Sequence, residues 1–221
     1  MKASKVVVVF LLIVTLPFTV PSALVLAAPL DYEDAPSDSS LDFTWRYSTD
    51  HYEVHIPYPS DILRMYEDLP VIRWGLDYAV AFRFITLDDP VLKELAAELD
   101  DLSDGMDQYR KADFILSFVC HNIFYVSDDG LLDHYQFPLE TLCYGHGDCE
   151  DFAFLLVTLY RLCGFDAVLV SSSEHMGSAV HLDDSSSYNL PYITAYGSDI
   201  RYYVSEGTSS DHVGYHSYPQ P

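Results

Sequence analysis

The sequence predicts an α+β domain, with N-terminal helices, a central buried helix and an antiparallel β-sheet packed against it. Three observations predict this. Two capped, helix-periodic stretches lie between Asp89 and Asn122, and an almost wholly apolar run from Phe152 to Leu162 follows a glycine turn. Short β-branched and aromatic runs broken by turn residues then fill the chain from Ala167 to Ser205.

At the start, Lys2 and Lys5 precede the apolar run Val6 to Val14, with a looser continuation through Ala28. Residues 1–28 read as an export signal cleaved near Ala27 or Ala28. The alternative is a membrane anchor formed by residues 6–28, which Pro17 and Pro21 disfavour by interrupting a spanning helix. Either outcome puts the protein outside the cytoplasm, secreted or at the cell surface. Residues 29–42, PLDYEDAPSDSSLD, are acidic, rich in Ser and Pro and poor in apolar anchors, so they read as a flexible tether. One globular domain, 43–221, then follows, since a chain of 221 residues that is 49% hydrophobic fills one core and not two.

Within the domain, Phe43 to Pro57 (FTWRYSTDHYEVHIP) alternates as a strand or hairpin does. Asp89 before Pro90 is a helix entry, an N-capping carboxylate followed by a proline at the first helical position, and that helix runs to about Asp101. Ala112, Ile115, Leu116, Val119 and Ile123 recur at helical spacing and place a second helix from about Asp107 to Asn122. Gly145 and Gly147 permit a tight turn, Asp148 caps, and Asp151 three residues on completes a capping-box-like start. The central helix then runs from Cys149 to about Cys163 and stops at Gly164. Ala167 to Val170 and Gly177 to Leu182 read as strands, and Tyr192 to Tyr196 with Ile200 to Ser205 as a hairpin about Gly197, Ser198 and Asp199.

Charge excludes one class of partner. With 34 acids against 11 Lys and Arg the formal charge is −23, so a polyanion is repelled and no nucleic acid is expected. The cysteines Cys120, Cys143, Cys149 and Cys163 are too few for a disulfide scaffold, and if Cys149 stays a thiol at most one bridge forms among the others.

A thiol in the first turn of a helix faces unsatisfied N–H groups and the positive end of the helix dipole, both of which favour thiolate. Cys149 occupies that place, while Asp148, Glu150 and Asp151 push the other way, so a histidine is needed to make the sulfur nucleophilic. Two histidines are candidates. His175 and His181 bracket one predicted strand and stand roughly 20 Å apart if it is extended, so one at most reaches the sulfur. Glu206, at the end of the last strand, is placed to orient the imidazole.

The segment from Phe118 to Thr208 resembles the transglutaminase-like superfamily, especially a branch of exported archaeal proteins. The motifs that carry the resemblance are P-x-E-T-L at Pro138 to Leu142, G-x-G-D-C-E-D at Gly145 to Asp151, H-M-x-x-x-V at His175 to Val180 and Y-x-x-E-x-T at Tyr203 to Thr208. Trp45 and the stretch FVCHNIFYVSDD, Phe118 to Asp129, are similar to weaker upstream features. The resemblance implies a papain-like, transglutaminase-like fold with Cys149 as nucleophile, His175 as general base and acid and Glu206 as orienting carboxylate, where more familiar members use Asp. It also implies acyl transfer through a thioester on a protein or peptide, as amide or isopeptide hydrolysis ahead of amine cross-linking. A monomer without a cofactor is expected. Cys120 departs from the branch, which carries a polar residue there, often Gln, suited to holding an oxyanion.

Two other readings compete. Cys143, His146 and Cys149 are spaced C-x2-H-x2-C and read as a zinc site that His175 or His181 completes. The alternative to both is a binding or surface module that keeps the fold without the chemistry.

Overall fold

A computed structural model describes residues 38–73, 78–128, 134–172, 175–183, 190–194, 197–208 and 212–214. The expected export segment, and the tether as far as residue 37, lie outside the described residues. Among the described residues no helix is long and apolar enough to cross a membrane.

The chain opens with an antiparallel hairpin, β1 (Ser39–Tyr47) and β2 (Asp50–Tyr58), in which Tyr47 pairs with Asp50. Its strands alternate, so that Leu41, Phe43, Trp45, Val54 and Ile56 are buried on one face. Strand β1 therefore begins inside the segment read as tether. Leu41 is the cause: it continues the inward face, pairs opposite Ile56 and extends the ladder back to Ser39. After the short helix α1 (Ile62–Glu67) and a 3₁₀ turn at Tyr78–Phe84 come α2 (Pro90–Leu102) and α3 (Gln108–Asn122). Both larger helices start as expected, with Asp89 accepting from the Leu92 N–H at 2.9 Å and Asp107 from the Arg110 N–H at 2.8 Å. Helix α3 receives the hairpin edge-on, with Phe118 5.1 Å from the Phe43 ring and 5.2 Å from Trp45.

Two short pieces then form that periodicity does not announce. Strand β3 (Phe124–Tyr125) pairs in parallel with β4 (His146–Gly147), and helix α4 (Pro138–Tyr144) lies between them in the chain. Helix α5 (Cys149–Leu162) follows and is buried continuously from Glu150 to Tyr160. It packs on α3 and α4 on one side and on the sheet on the other. The sheet comprises β5 (Ala167–Ser171), β6 (Met176–His181), β7 (Ile193–Thr194) and β8 (Arg201–Ser205) in the order β5-β6-β8-β7, every pair antiparallel. The expected final hairpin is present, with Ile193 opposite Tyr202 and Gly197 at φ +75°. Helices first and an antiparallel sheet last is the α+β order the sequence predicts.

Burying α5 on all sides obliges its polar groups to find partners. Tyr160 does so by donating to the Ala112 carbonyl at 3.1 Å and sharing a 2.6 Å bond with the Ser205 hydroxyl, which ties α3, α5 and β8 at one point.

Candidate active site

The first two motifs build the platform for Cys149. In α4, Pro138 stands at the first turn and Glu140 reaches back to accept the Phe137 N–H at 2.8 Å, which fixes where the helix begins. Gly145 ends it in the left-handed conformation, φ +69°, and turns the chain into β4. Gly147 has no room for a side chain, because an added Cβ would lie 2.6 Å from Cβ of Asp151. That carboxylate is spoken for: one oxygen accepts the Gln136 N–H at 2.8 Å and the other the Asp148 N–H at 3.3 Å. Cys149 is thereby fixed as the first residue of α5, half-buried.

The surroundings of the sulfur favour the thiol over the thiolate. Burial is the largest influence and raises its pKa; the S–H donates to Glu150 Oε2 at 2.7 Å, which raises it further. The Met176 N–H, which bonds to the sulfur from the start of β6, pulls the other way and is outweighed. Helix-end electrostatics therefore do not prevail as they would for an exposed N-terminal cysteine, because burial first, and then the acids crowding the same turn, outweigh them. Asp148 is itself pushed up to about 9, by burial first and then by the charges of Asp151 and Glu150. Asp151 is raised well above the carboxylate range, again mainly by burial.

His175 and Glu206 are brought together. His175 stands immediately before β6, Glu206 immediately after β8, and the imidazole Nε2 bonds Glu206 Oε2 at 2.6 Å. Glu206 is 3% exposed. Burial pushes its carboxyl up, but the His175 hydrogen bond and charge and the two bonds from Thr208 outweigh it, so the net shift is downward. The Thr208 N–H and hydroxyl both donate to the second oxygen, Oε1, at 3.1 and 2.7 Å. Because Met176 is the residue after His175 and its N–H meets the Cys149 sulfur, the thiol and the imidazole flank the same strand start.

The other candidates lie elsewhere. His181 is the last residue of β6, at the far end from His175, where its Nδ1–H donates to the Arg201 carbonyl at 2.8 Å and Nε2 meets Asp183 Oδ1 at 3.2 Å. The C-x2-H-x2-C spacing does not produce a metal site: among the described residues no three His, Cys, Asp or Glu side chains are grouped to hold an ion. His146 instead stacks on Tyr144 with ring centres 6.0 Å apart, and Cys143 bonds to Tyr58. All four cysteines are free thiols. Cys120, in the last turn of α3, donates to the Gly207 carbonyl at 3.4 Å and so stands against the loop that carries Glu206.

Two contacts went unread in the sequence. Thr208 holds the carboxylate that holds the imidazole, where the sequence shows it only as the last residue of the Y-x-x-E-x-T motif. Glu150 bonds the sulfur directly, where the sequence shows it only as one of three acids whose charge opposes the thiolate. The intervening Gly207 is compulsory for packing, since a Cβ there would lie 2.6 Å from the Phe152 ring. Gly207→Ala is accordingly expected to destabilise by about 1–3 kcal/mol. Denaturant melts measure that loss, and perturbed NMR signals of the His175 ring would show that Glu206 has shifted with the loop.

The family model of the transglutaminase-like superfamily matches residues 94–212, a span that includes Cys149, His175, Glu206 and all four motifs. No curated protein matches the chain. With its helices, its antiparallel sheet and more than half of its length inside that match, the chain belongs to the transglutaminase-like superfamily, a group that is generally cysteine-based.

Proposed function

We propose that this protein is an exported cysteine enzyme that transfers acyl groups through a thioester, with Cys149 as nucleophile, His175 as general base and acid, and Glu206 as the carboxylate that orients His175. The observation that carries the reading is the 2.6 Å bond between His175 and Glu206 at the strand start whose Met176 N–H meets the Cys149 sulfur. With Nε2 engaged by the carboxylate, Nδ1 is the ring nitrogen that exchanges a proton with sulfur. The thiol proton passes to the imidazole, the thiolate adds to an amide carbonyl, and the imidazolium protonates the departing amine as the C–N bond breaks. Water then cleaves the thioester and restores the thiol. The substrate is a peptide or isopeptide amide, with transfer to an amine as the competing second step. The leader-like residues 1–28 support an extracytoplasmic setting, and we propose a monomer.

The test is turnover of fluorogenic peptide amides, with parallel incorporation of a labelled amine, by wild type and Cys149→Ala. Wild type should turn over and Cys149→Ala should fall to background, and iodoacetamide should modify Cys149 well before Cys163, whose S–H faces the Ala96 carbonyl and not an imidazole. A second reading, an inert module, draws on the S–H bond from Cys149 to Glu150 and on Cys120 standing where a polar donor is expected. Absence of turnover together with a Cys149 no more reactive than Cys163 would establish that reading instead.

A further inference from the structure

Glu150 is 3% exposed, and among the described residues no Lys or Arg forms a salt bridge with it. A buried carboxylate without a cation is costly, so its contacts deserve a functional explanation. It has two. It accepts the Cys149 S–H at 2.7 Å, and it is hydrogen-bonded to Asp148, whose other oxygen, Oδ1, is buried without any partner. The thiol proton therefore points at Glu150, within its own helical turn.

We propose that Glu150 is a brake on the nucleophile: by accepting the Cys149 S–H it holds the sulfur as a resting thiol, and the proton passes to His175 only when that bond is broken. This rests on the catalytic reading above and adds to it a residue that sets when the thiol is used. The step balances simply. The S–H bond breaks, the proton moves to the imidazole, and a thiolate–imidazolium pair replaces two neutral groups. A neighbouring carboxylate opposes that step twice, by hydrogen-bonding the reactant and by repelling the anion formed. The groups around the sulfur are few enough to name. Asp148 and Asp151 act from the same turn, Tyr125 faces it from β3, the Met176 N–H and His175 from the start of β6, Glu206 from the end of β8, and Asp128 adds its charge to Asp148 and Asp151. Glu150 is the member that takes the thiol proton's hydrogen bond.

The test follows alkylation of Cys149 by iodoacetamide across pH in the full chain, with mass spectrometry of the Cys149 peptide separating it from the other thiols. Glu150→Gln, nearly the same shape but neutral, should raise the rate at pH 7 at least tenfold and lower the alkylation midpoint by one pH unit or more. An unchanged or slower rate overturns the brake. If Cys163 becomes equally labelled the variant has unfolded, and Asp148→Asn, which removes the charge beside Glu150, decides by the same criterion with a smaller shift. His175→Ala distinguishes the two levels of the reading. Where it slows alkylation but Glu150→Gln does not speed it, the brake alone fails; where His175→Ala changes nothing, the catalytic assignment fails with it.

Discussion

Glu206→Gln is expected to lower turnover by on the order of 10³–10⁴-fold while leaving the protein folded, as replacing the acid of a nucleophile–imidazole–carboxylate triad does. The carboxylate does two things at once. It fixes the imidazole by accepting at Nε2, 2.6 Å away, and in the proposed mechanism it would stabilise the positive ring formed when the thiol proton arrives. Glutamine keeps the shape and loses the charge. Thr208→Val tests the support beneath it: both Thr208 bonds go to Oε1, and removing the hydroxyl leaves only the backbone one, so a loss of about tenfold in kcat with little change in KM is expected. The pH dependence follows from the same contacts. The Glu206 carboxyl is held below its ordinary value, so its contribution is complete above the ordinary carboxyl range and disappears as pH falls through the depressed folded value. Its protonation therefore limits activity on the acid side, and an acid limb missing from the Glu206→Gln profile of residual kcat/KM is the check.

Arg73→Met should be the most damaging substitution away from the chemistry. Arg73 Nη1 bonds Glu140 Oε2 at 2.6 Å, the guanidinium lies 5.0 Å from the centre of the Phe137 ring, and Nη2 donates to the Tyr66 carbonyl at 2.5 Å. Glu140 is nearly fully buried, and among the described residues no other Lys or Arg forms a salt bridge with it, so removing Arg73 strands a charge in the core. A loss of about 3–5 kcal/mol is expected, read from urea unfolding. Glu140→Gln in the same background should recover part of it, because a neutral amide oxygen still accepts the Phe137 N–H. Since α4 leads through Gly145 to Cys149, the single variant should also lower turnover at temperatures where it remains folded.

Elements that carry their own punctuation were legible. Asp89, Asp107 and Asp148 begin helices where the sequence places them, and Gly197 marks the last hairpin. Elements whose reason lies elsewhere in the chain were not. The parallel pair β3 and β4 has two residues in each strand, too short for any period, and exists because α4 returns the chain alongside it. The tether boundary moved because Leu41 has Ile56 opposite it, a pairing invisible from composition. At the site, motif spacing singled out His175 over His181, and the strand between them explains the difference: at one end His175 meets Glu206 and the Met176 N–H meets the thiol, and at the other His181 meets Arg201 and Asp183. Motif spacing could not tell that Glu150 faces the sulfur, because consecutive helical residues point in different directions and only the turn's local geometry brings them into contact.

Helix α5 brings the sulfur and the sheet brings the imidazole, so on the proposed reading neither element holds the catalytic pair alone. The pair is assembled by the docking of α5 onto β6, late in the sequence and dependent on the final strand for its acid. On that reading, a chain still emerging from the ribosome would carry four ordinary thiols and no activated one. Its reactivity would arrive only with tertiary structure.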